Sequence, residues 1–192
     1  MSVKEVLLVL TDGWADWEAA YAAAGINSAP GYAVKTIAAD VSPKASIGGL
    51  RAEVDYVIGE YAGLDNAAML ILPGGYGWKK SRHDDIAAFV RQAADRGIPV
   101  AAICGAAIFL GKHGFLDNVK HTGDELEFFL NEEGYNGRES YVSAQTAVDR
   151  GFITANETAA VDFAREIFGA LGIDSEEGIA RWHDLFKNGM VR

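Results

Sequence analysis

Short, mostly apolar blocks alternate along this chain with longer stretches in which apolar residues recur every three or four positions. The blocks are Val6–Leu10, Val34–Ala38, Met69–Leu72 and Val100–Ile103, set off by Gly, Pro or Asp. Blocks apolar on both faces suit parallel strands covered on both sides. The stretches Trp14–Ile26, Asp84–Arg96, Ala106–His113, Asp124–Glu132 and Thr158–Leu171 carry helical spacing, as in Ile86, Phe89, Val90 and Ala93. Strand alternating with helix predicts an α/β fold with a mostly parallel central sheet between helical layers. Tyr141–Val148 and Phe152–Ala155, joined through Asp149-Arg150-Gly151, read as a hairpin. Ser46–Val54, interrupted by Gly48-Gly49, reads as a smaller ribbon.

No internal repeat, low-complexity tract or dividing linker is visible, so residues 1–192 read as a single domain. Residues 174–192 form a C-terminal helix whose Ile179, Trp182, Leu185 and Phe186 make one apolar stripe. That stripe either packs on its own domain or covers a partner subunit.

Charge narrows the function classes. Seventeen Lys and Arg against 27 Asp and Glu give a formal net charge of −10, and no basic stripe interrupts this acidity, so nucleic acid is not an expected partner. No apolar run approaches the roughly 18 residues of a membrane span, and Met1-Ser2-Val3-Lys4-Glu5 leads straight into a strand without the form of a signal peptide. One cysteine, Cys104, excludes an intrachain disulfide and a thiolate metal cluster, and suits a reducing cytoplasm.

That cysteine ends a buried strand, Val100-Ala101-Ala102-Ile103, and Gly105-Ala106-Ala107 begins a helix at once. A strand-to-helix elbow with small neighbours projects a nucleophile at the sheet's carboxyl edge, and the helix N-terminus favours thiolate. The competing reading is an inert buried thiol. The first strand ends in Thr11-Asp12-Gly13-Trp14-Ala15-Asp16-Trp17-Glu18. Glu18, set among alanines and tryptophans, is expected to be partly buried and so able to donate a proton to the thiolate. Asp16 suits a helix N-terminal acid. Leu72-Pro73-Gly74-Gly75-Tyr76-Gly77-Trp78 is a glycine turn whose bare backbone amides could face a substrate oxygen. As a phosphate loop it lacks Gly-Lys-Ser/Thr and any dinucleotide fingerprint.

In this order and spacing, Asp16-Trp17-Glu18, Ile47-Gly48-Gly49-Leu50, Leu70-Ile71-Leu72-Pro73-Gly74-Gly75, Ala101-Ala102-Ile103-Cys104-Gly105 and Ile153-Thr154-Ala155-Asn156 resemble the ThiJ/PfpI family of class I glutamine amidotransferase-like proteins. The resemblance runs from Val6 to about Leu171. It implies a flavodoxin-like three-layer sandwich, a homodimer, Cys104 as the reactive elbow cysteine, a protonated Glu18 bonded to its sulfur, and oxyanion-hole amides at Gly75 and Gly105. Activities in such families include amidase or peptidase, glyoxalase-type or deglycase chemistry, isonitrile hydration and redox sensing. The usual base is a His directly after the Cys, where this chain has Gly105, or about twenty residues later, where it has Asp124.

Asp124 and His121 are therefore the candidate auxiliary groups. His121 either reaches the pocket by a loop shift or faces solvent at a strand end. His113 suits a helix C-terminus, His83 follows the basic cluster Lys79-Lys80-Ser81-Arg82 near the glycine turn, and His183 lies in the C-terminal helix. That cluster either steers a small anionic substrate or is a solvated helix start. No histidine pair has metal-site spacing, and neither metal nor cofactor is expected. Two functions follow. One is a cysteine-dependent hydrolase, amidase or reactive-carbonyl enzyme acting on a small molecule without the usual His. The other is a non-enzymatic redox or stress-response protein whose cysteine is oxidised reversibly.

Overall fold

A computed structural model describes residues 3–190. Residues 1–2 of the expected leader-free start and 191–192 of the expected terminal helix lie outside the described residues. Among those described, the main sheet contains β1 (Lys4–Val9), β2 (Tyr32–Ala38), β5 (Tyr56–Val57), β6 (Ala67–Leu72), β7 (Val100–Ile103), β8 (Thr146–Asp149) and β9 (Phe152–Ala155). Their order is β5-β2-β1-β6-β7-β9-β8, and only β8 runs antiparallel to its neighbour. β3 (Lys44–Ala45) and β4 (Arg51–Ala52) form a separate ribbon. The helices are α1 (Asp16–Ser28), α2 (Asp84–Asp95), α3 (Gly105–Lys112), α4 (Leu126–Leu130), α5 (Ala160–Leu171) and α6 (Glu176–Asn188).

Alternation along the central strands feeds two cores. Leu7, Val9, Leu70, Leu72, Val100 and Ala102 face α2 and α3, where Ile86, Phe89, Val90, Phe109 and Leu110 close the first core. Val6, Leu8, Met69, Ile71, Ala101 and Ile103 face α1 and α5, where Ala22, Ile26, Phe163 and Ile167 close the second. Burial on both faces is why these strands read as continuous apolar blocks. The expected flavodoxin-like α/β/α sandwich is the observed fold. α1 approaches α5 closely because Gly25 has no side chain; a Cβ there would run into the Phe168 ring.

α6 packs on α5 and α1 of its own chain. Trp182 meets Phe168 and Tyr21 edge-on at 4.7 and 6.2 Å between ring centroids. Buried Asp162 of α5 accepts hydrogen bonds from His183 Nε2 at 2.9 Å and Lys187 Nζ at 2.6 Å. Leu185 and Phe186 remain exposed.

Several boundaries differ from expectation. The hairpin's first arm is strand only over Thr146–Asp149, because Tyr141 instead bridges to His121. The helix expected over Asp124–Glu132 spans only Leu126–Leu130. The ribbon strands lie just outside Ser46–Leu50, which forms the turn. Two-residue β5 carried no apolar block to betray it.

Among the described residues no helix is long and apolar enough to cross a membrane.

Candidate active site

The chain leaves β1 outward to β2 and β5, then returns to β6 on the other side of β1. Loops that diverge at such a switch point leave a crevice at the carboxyl edge of the sheet. Glu18 after β1, Gly74-Gly75 after β6 and Cys104 after β7 all border it.

Cys104 has φ 57° and ψ −130°, backbone that a residue with a Cβ adopts only under strain. Flanking hydrogen bonds hold it there. Its N–H donates to Ala155 C=O at 2.9 Å, continuing the β7–β9 ladder, and its C=O accepts from Ala107 N–H at 2.9 Å to open α3. The thiol is thereby pushed out of the sheet into the crevice.

The glycine turn is shaped by close approach. A Cβ on Gly74 would lie 2.6 Å from the Cys104 Cβ, 2.7 Å from Glu18 Oε2 and 2.8 Å from Ile103 O. Gly75, at φ 114°, lies against Gly13 and Trp14, where any side chain would strike the Gly13 carbonyl. Ala15 N–H donates to Gly74 C=O at 3.1 Å and Tyr76 N–H to Gly13 C=O at 3.0 Å. The Gly75 N–H takes no part in that exchange, and Gly75 stands beside Gly105, so two amides border the Cys104 cleft.

Of the three acids after β1, only Glu18 reaches the thiol. Asp12 Oδ1 accepts from Ala45 N–H at 3.2 Å and Asp16 Oδ2 from Ser46 Oγ at 2.8 Å, so both anchor the ribbon. Glu18, 1% exposed, accepts from Gly74 N–H at 2.6 Å and meets the Cys104 side chain. Burial pushes its pKa up to about 7, with the Gly74 and Cys104 contacts pulling the other way. The thiol is pushed up as well, first by burial and then by the charges of Glu18 and Asp124, against which the Gly105 amide pulls weakly. Burial and those charges thus work against the thiolate that the helix N-terminus favours.

Asp124 lines the same cleft, twenty residues past the elbow. Its segment is tied to β9 and the preceding loop: Thr122 N–H donates to Thr154 Oγ1 at 2.9 Å, Thr122 Oγ1 to Ala144 C=O at 2.9 Å, and Tyr141 O–H to the Asp124 carbonyl at 2.8 Å. Burial pushes the Asp124 carboxyl up to about 6, reinforced by contact with Glu157.

His121 neither reaches the cleft nor faces solvent. It is fully buried, with Nδ1 2.7 Å from Val119 O and Nε2 2.8 Å from Tyr135 Oη, and supports the segment that carries Asp124. Burial lowers its pKa. His83 lies against Trp78 with Nε2 2.9 Å from Gly77 O, and His113 Nε2 lies 2.8 Å from Arg82 O. Lys79 is the member of the basic cluster that lines the cleft, its ammonium 5.8 Å from the Phe128 ring centroid.

The cleft encloses about 220 Å³, with exposed Trp17, Tyr76 and Phe128 at its mouth. Trp17 therefore forms the rim, and buried Trp14 packs in the core behind it. A larger cavity of about 710 Å³ lies between α1, α5 and α6, lined by Tyr21, Phe168, Trp182 and Phe186. Its lining is mostly apolar and holds no cysteine, whereas Cys104 lies in the smaller cleft. Glu157, on the Cys104 cleft wall, was missed as a site residue; only the β7–β9 pairing brings it near the elbow. Among the described residues no group of three or more His, Cys, Asp or Glu is placed to hold a metal ion.

A family model described as DJ-1/PfpI matches residues 4–170. A Bacillus subtilis (strain 168) protein named uncharacterized protease YdeA is 35% identical over 179 residues, covering 93% of this chain and 89% of its own. Uncharacterized protease YoaZ of the same strain is 29% identical over 195 residues, covering 97% and 92%. Among solved structures, a DJ-1 superfamily protein from Agrobacterium tumefaciens superposes with a TM-score of 0.89 at 31% identity, covering 97% of this chain and 100% of that one. A thiJ/pfpI family protein from Bacillus anthracis gives a TM-score of 0.90 at 30% identity, covering 99% and 93%.

Proposed function

The chain belongs to the DJ-1/PfpI family, and from that premise we propose that it is a cysteine-dependent enzyme acting on a small carbonyl or amide compound. The observation that carries this reading is the convergence of the strained Cys104 elbow, buried Glu18 and Asp124 in one cleft. Because burial opposes ionisation of the thiol, a base takes its proton as the new bond forms. Cys104 Sγ adds to the carbonyl carbon while its proton passes to the Asp124 carboxylate. The carbonyl π pair moves to oxygen, where the Gly75 and Gly105 amides receive it. Glu18, whose pKa burial raises to about 7, then gives its proton to that oxygen. An aldehyde gives the hemithioacetal at this step. With an amide the oxygen returns its proton to Glu18 as the C–N bond breaks and the amine takes the Asp124 proton. Water then adds to the thioester carbonyl and the C–S bond breaks, giving the carboxylic acid and the Cys104 thiol.

The curated relatives carry the word protease. A cleft of about 220 Å³ is below the usual 300–1,000 Å³ of drug-sized sites, and that supports a small substrate over a polypeptide. A homodimer in a reducing compartment completes the proposal, the former resting on the family resemblance and the latter on the unpaired thiol. The deciding assay is turnover of short amides, α-oxoaldehydes and isonitriles by the protein and by Cys104→Ala. Turnover lost in the variant supports the enzyme, and no turnover of any class by the parent protein overturns it.

A further inference from the structure

The basic cluster after the glycine turn has no part in the reaction above, yet one of its members enters the site. Past Gly105, Ile108 and Phe128 the Cys104 cleft adjoins a side pocket of about 100 Å³, and these three residues together with Lys79 line both. Buried Trp78 and Phe109, 4.5 Å apart between ring centroids, give the side pocket an apolar wall. Two ammonium groups serve it. Lys79 Nζ, on an exposed side chain, lies 5.8 Å from the Phe128 ring centroid. Lys112 Nζ, on a half-buried one, lies 5.9 Å from the Phe109 ring centroid and donates to the Trp78 carbonyl at 3.5 Å. Among the described residues neither lysine forms an ion pair, in a chain whose formal net charge is −10.

A lysine at 112 suits the C-terminus of α3, but the helix dipole does not account for a second lysine, from another element, on the same pocket. Glu132 is the carboxylate that shares this lining. Two lysines against one glutamate leave one positive charge in excess, which complements a single carboxylate better than a dianionic phosphate. The Cys104 cleft has the opposite balance: Glu18, Asp124 and Glu157 line it, with Lys79 as the only cation among its described lining residues. An anionic group is therefore disfavoured beside the thiol and drawn into the side pocket. Gly105, common to both, sets the two places within the span of one small molecule. We propose that the side pocket is a carboxylate subsite, in which Lys79 and Lys112 hold the carboxylate of a substrate whose amide or aldehyde carbonyl, a short chain away, lies against Cys104. The substrates are then small amido acids or oxo acids. This rests on the reading of the Cys104 cleft as an enzyme site and adds no step to its chemistry.

The first test needs no turnover. Alkylation of Cys104 by iodoacetamide is measured at mildly alkaline pH with butanoate or with neutral 1-butanol present. Butanoate is expected to protect the thiol at a concentration about tenfold or more below that of 1-butanol, the size of a hydrogen bond to a charged group. Lys79→Met and Lys112→Met each lose most of that difference, and Lys112→Arg retains it. Lys80→Met, whose side chain lines neither pocket, keeps it too. Equal protection by the two probes, or a loss in Lys80→Met as large as that in Lys112→Met, overturns the subsite. The second test compares kcat/KM for succinamate and butanamide. A preference for succinamate of about tenfold, carried by KM and lost in Lys112→Met, supports the substrate class, and equal kcat/KM overturns it. Protection by butanoate without turnover of any carbonyl or amide compound overturns the enzyme and leaves the carboxylate site standing.

Discussion

Glu18 Oε2 and the Gly74 amide, 56 residues apart in sequence, meet at 2.6 Å beneath the Cys104 side chain. This one bond aims the carboxyl at the sulfur and seats it where water is excluded. Because burial raises the pKa of Glu18 from 4.5 to about 7, the folded protein holds that proton more tightly than the unfolded chain. The associated stability is present in full below about pH 4.5 and is lost as pH rises through about 7. Glu18→Gln keeps the acceptor oxygen and cannot ionise. Denaturant titration is expected to show the parent losing about 2–3 kcal/mol relative to Glu18→Gln between about pH 4.5 and about pH 7.5. Parallel curves would show that Glu18 titrates as an exposed acid.

Gly74→Ala tests how closely the turn and the elbow must fit. The added Cβ meets the Cys104 Cβ, Glu18 Oε2 and the Ile103 carbonyl at 2.6 to 2.8 Å, and two of those partners belong to the sheet and elbow, which cannot move aside. A cost of about 2 kcal/mol or more is expected by overpacking, with loss of Cys104 alkylation in the fraction that still folds. A variant of parent stability and parent thiol reactivity would contradict this packing.

The redox alternative predicts the opposite of what the buried thiol implies. Peroxide attacks thiolate, and burial together with Glu18 and Asp124 opposes ionisation of Cys104. Intact-mass measurement after mild peroxide at neutral pH is expected to show oxygen added no faster than to an ordinary free cysteine. Rapid, selective addition of one or two oxygens would favour a sensor.

Asp162 tests the docking of α6. It is buried and receives both His183 and Lys187, and these partners offset its burial to leave its pKa below the ordinary value. A lowered carboxyl pKa contributes stability above the unfolded value and loses it as pH falls through the folded one. Asp162→Ala should cost about 1–3 kcal/mol near neutral pH by taking their shared buried partner from Lys187 and His183, and the deficit should shrink below about pH 4. Thermal unfolding across pH checks both, and a constant deficit would mean the loss is one of packing.

The order of strands and helices was legible because strands covered on both faces must be apolar throughout, as Met69–Leu72 and Val100–Ile103 are. Cys104 was legible as an elbow because strand, cysteine and small residues are contiguous, so local sterics alone required the turn. Glu18 could be found by its alanine-rich setting, although its separation from Asp12 and Asp16 needed the ribbon that captures those two. Tyr56-Val57 and the shortened hairpin arm could not be read, since two-residue pairing leaves no period.

The sequence by itself determined the layered fold, the single thiol and the local turn that exposes it, all consequences of neighbouring residues and hydrophobic period. Only the tertiary structure decided the company of that thiol. Strand order set Glu157 beside Cys104 through β7 and β9, and buried His121 as a brace for the segment bearing Asp124. Burial then set the direction in which each group's pKa moves, because the energy of a charge depends on the solvent and charges around it in space. A helix N-terminus argued for a thiolate; burial, with Glu18 and Asp124 close by, works against it.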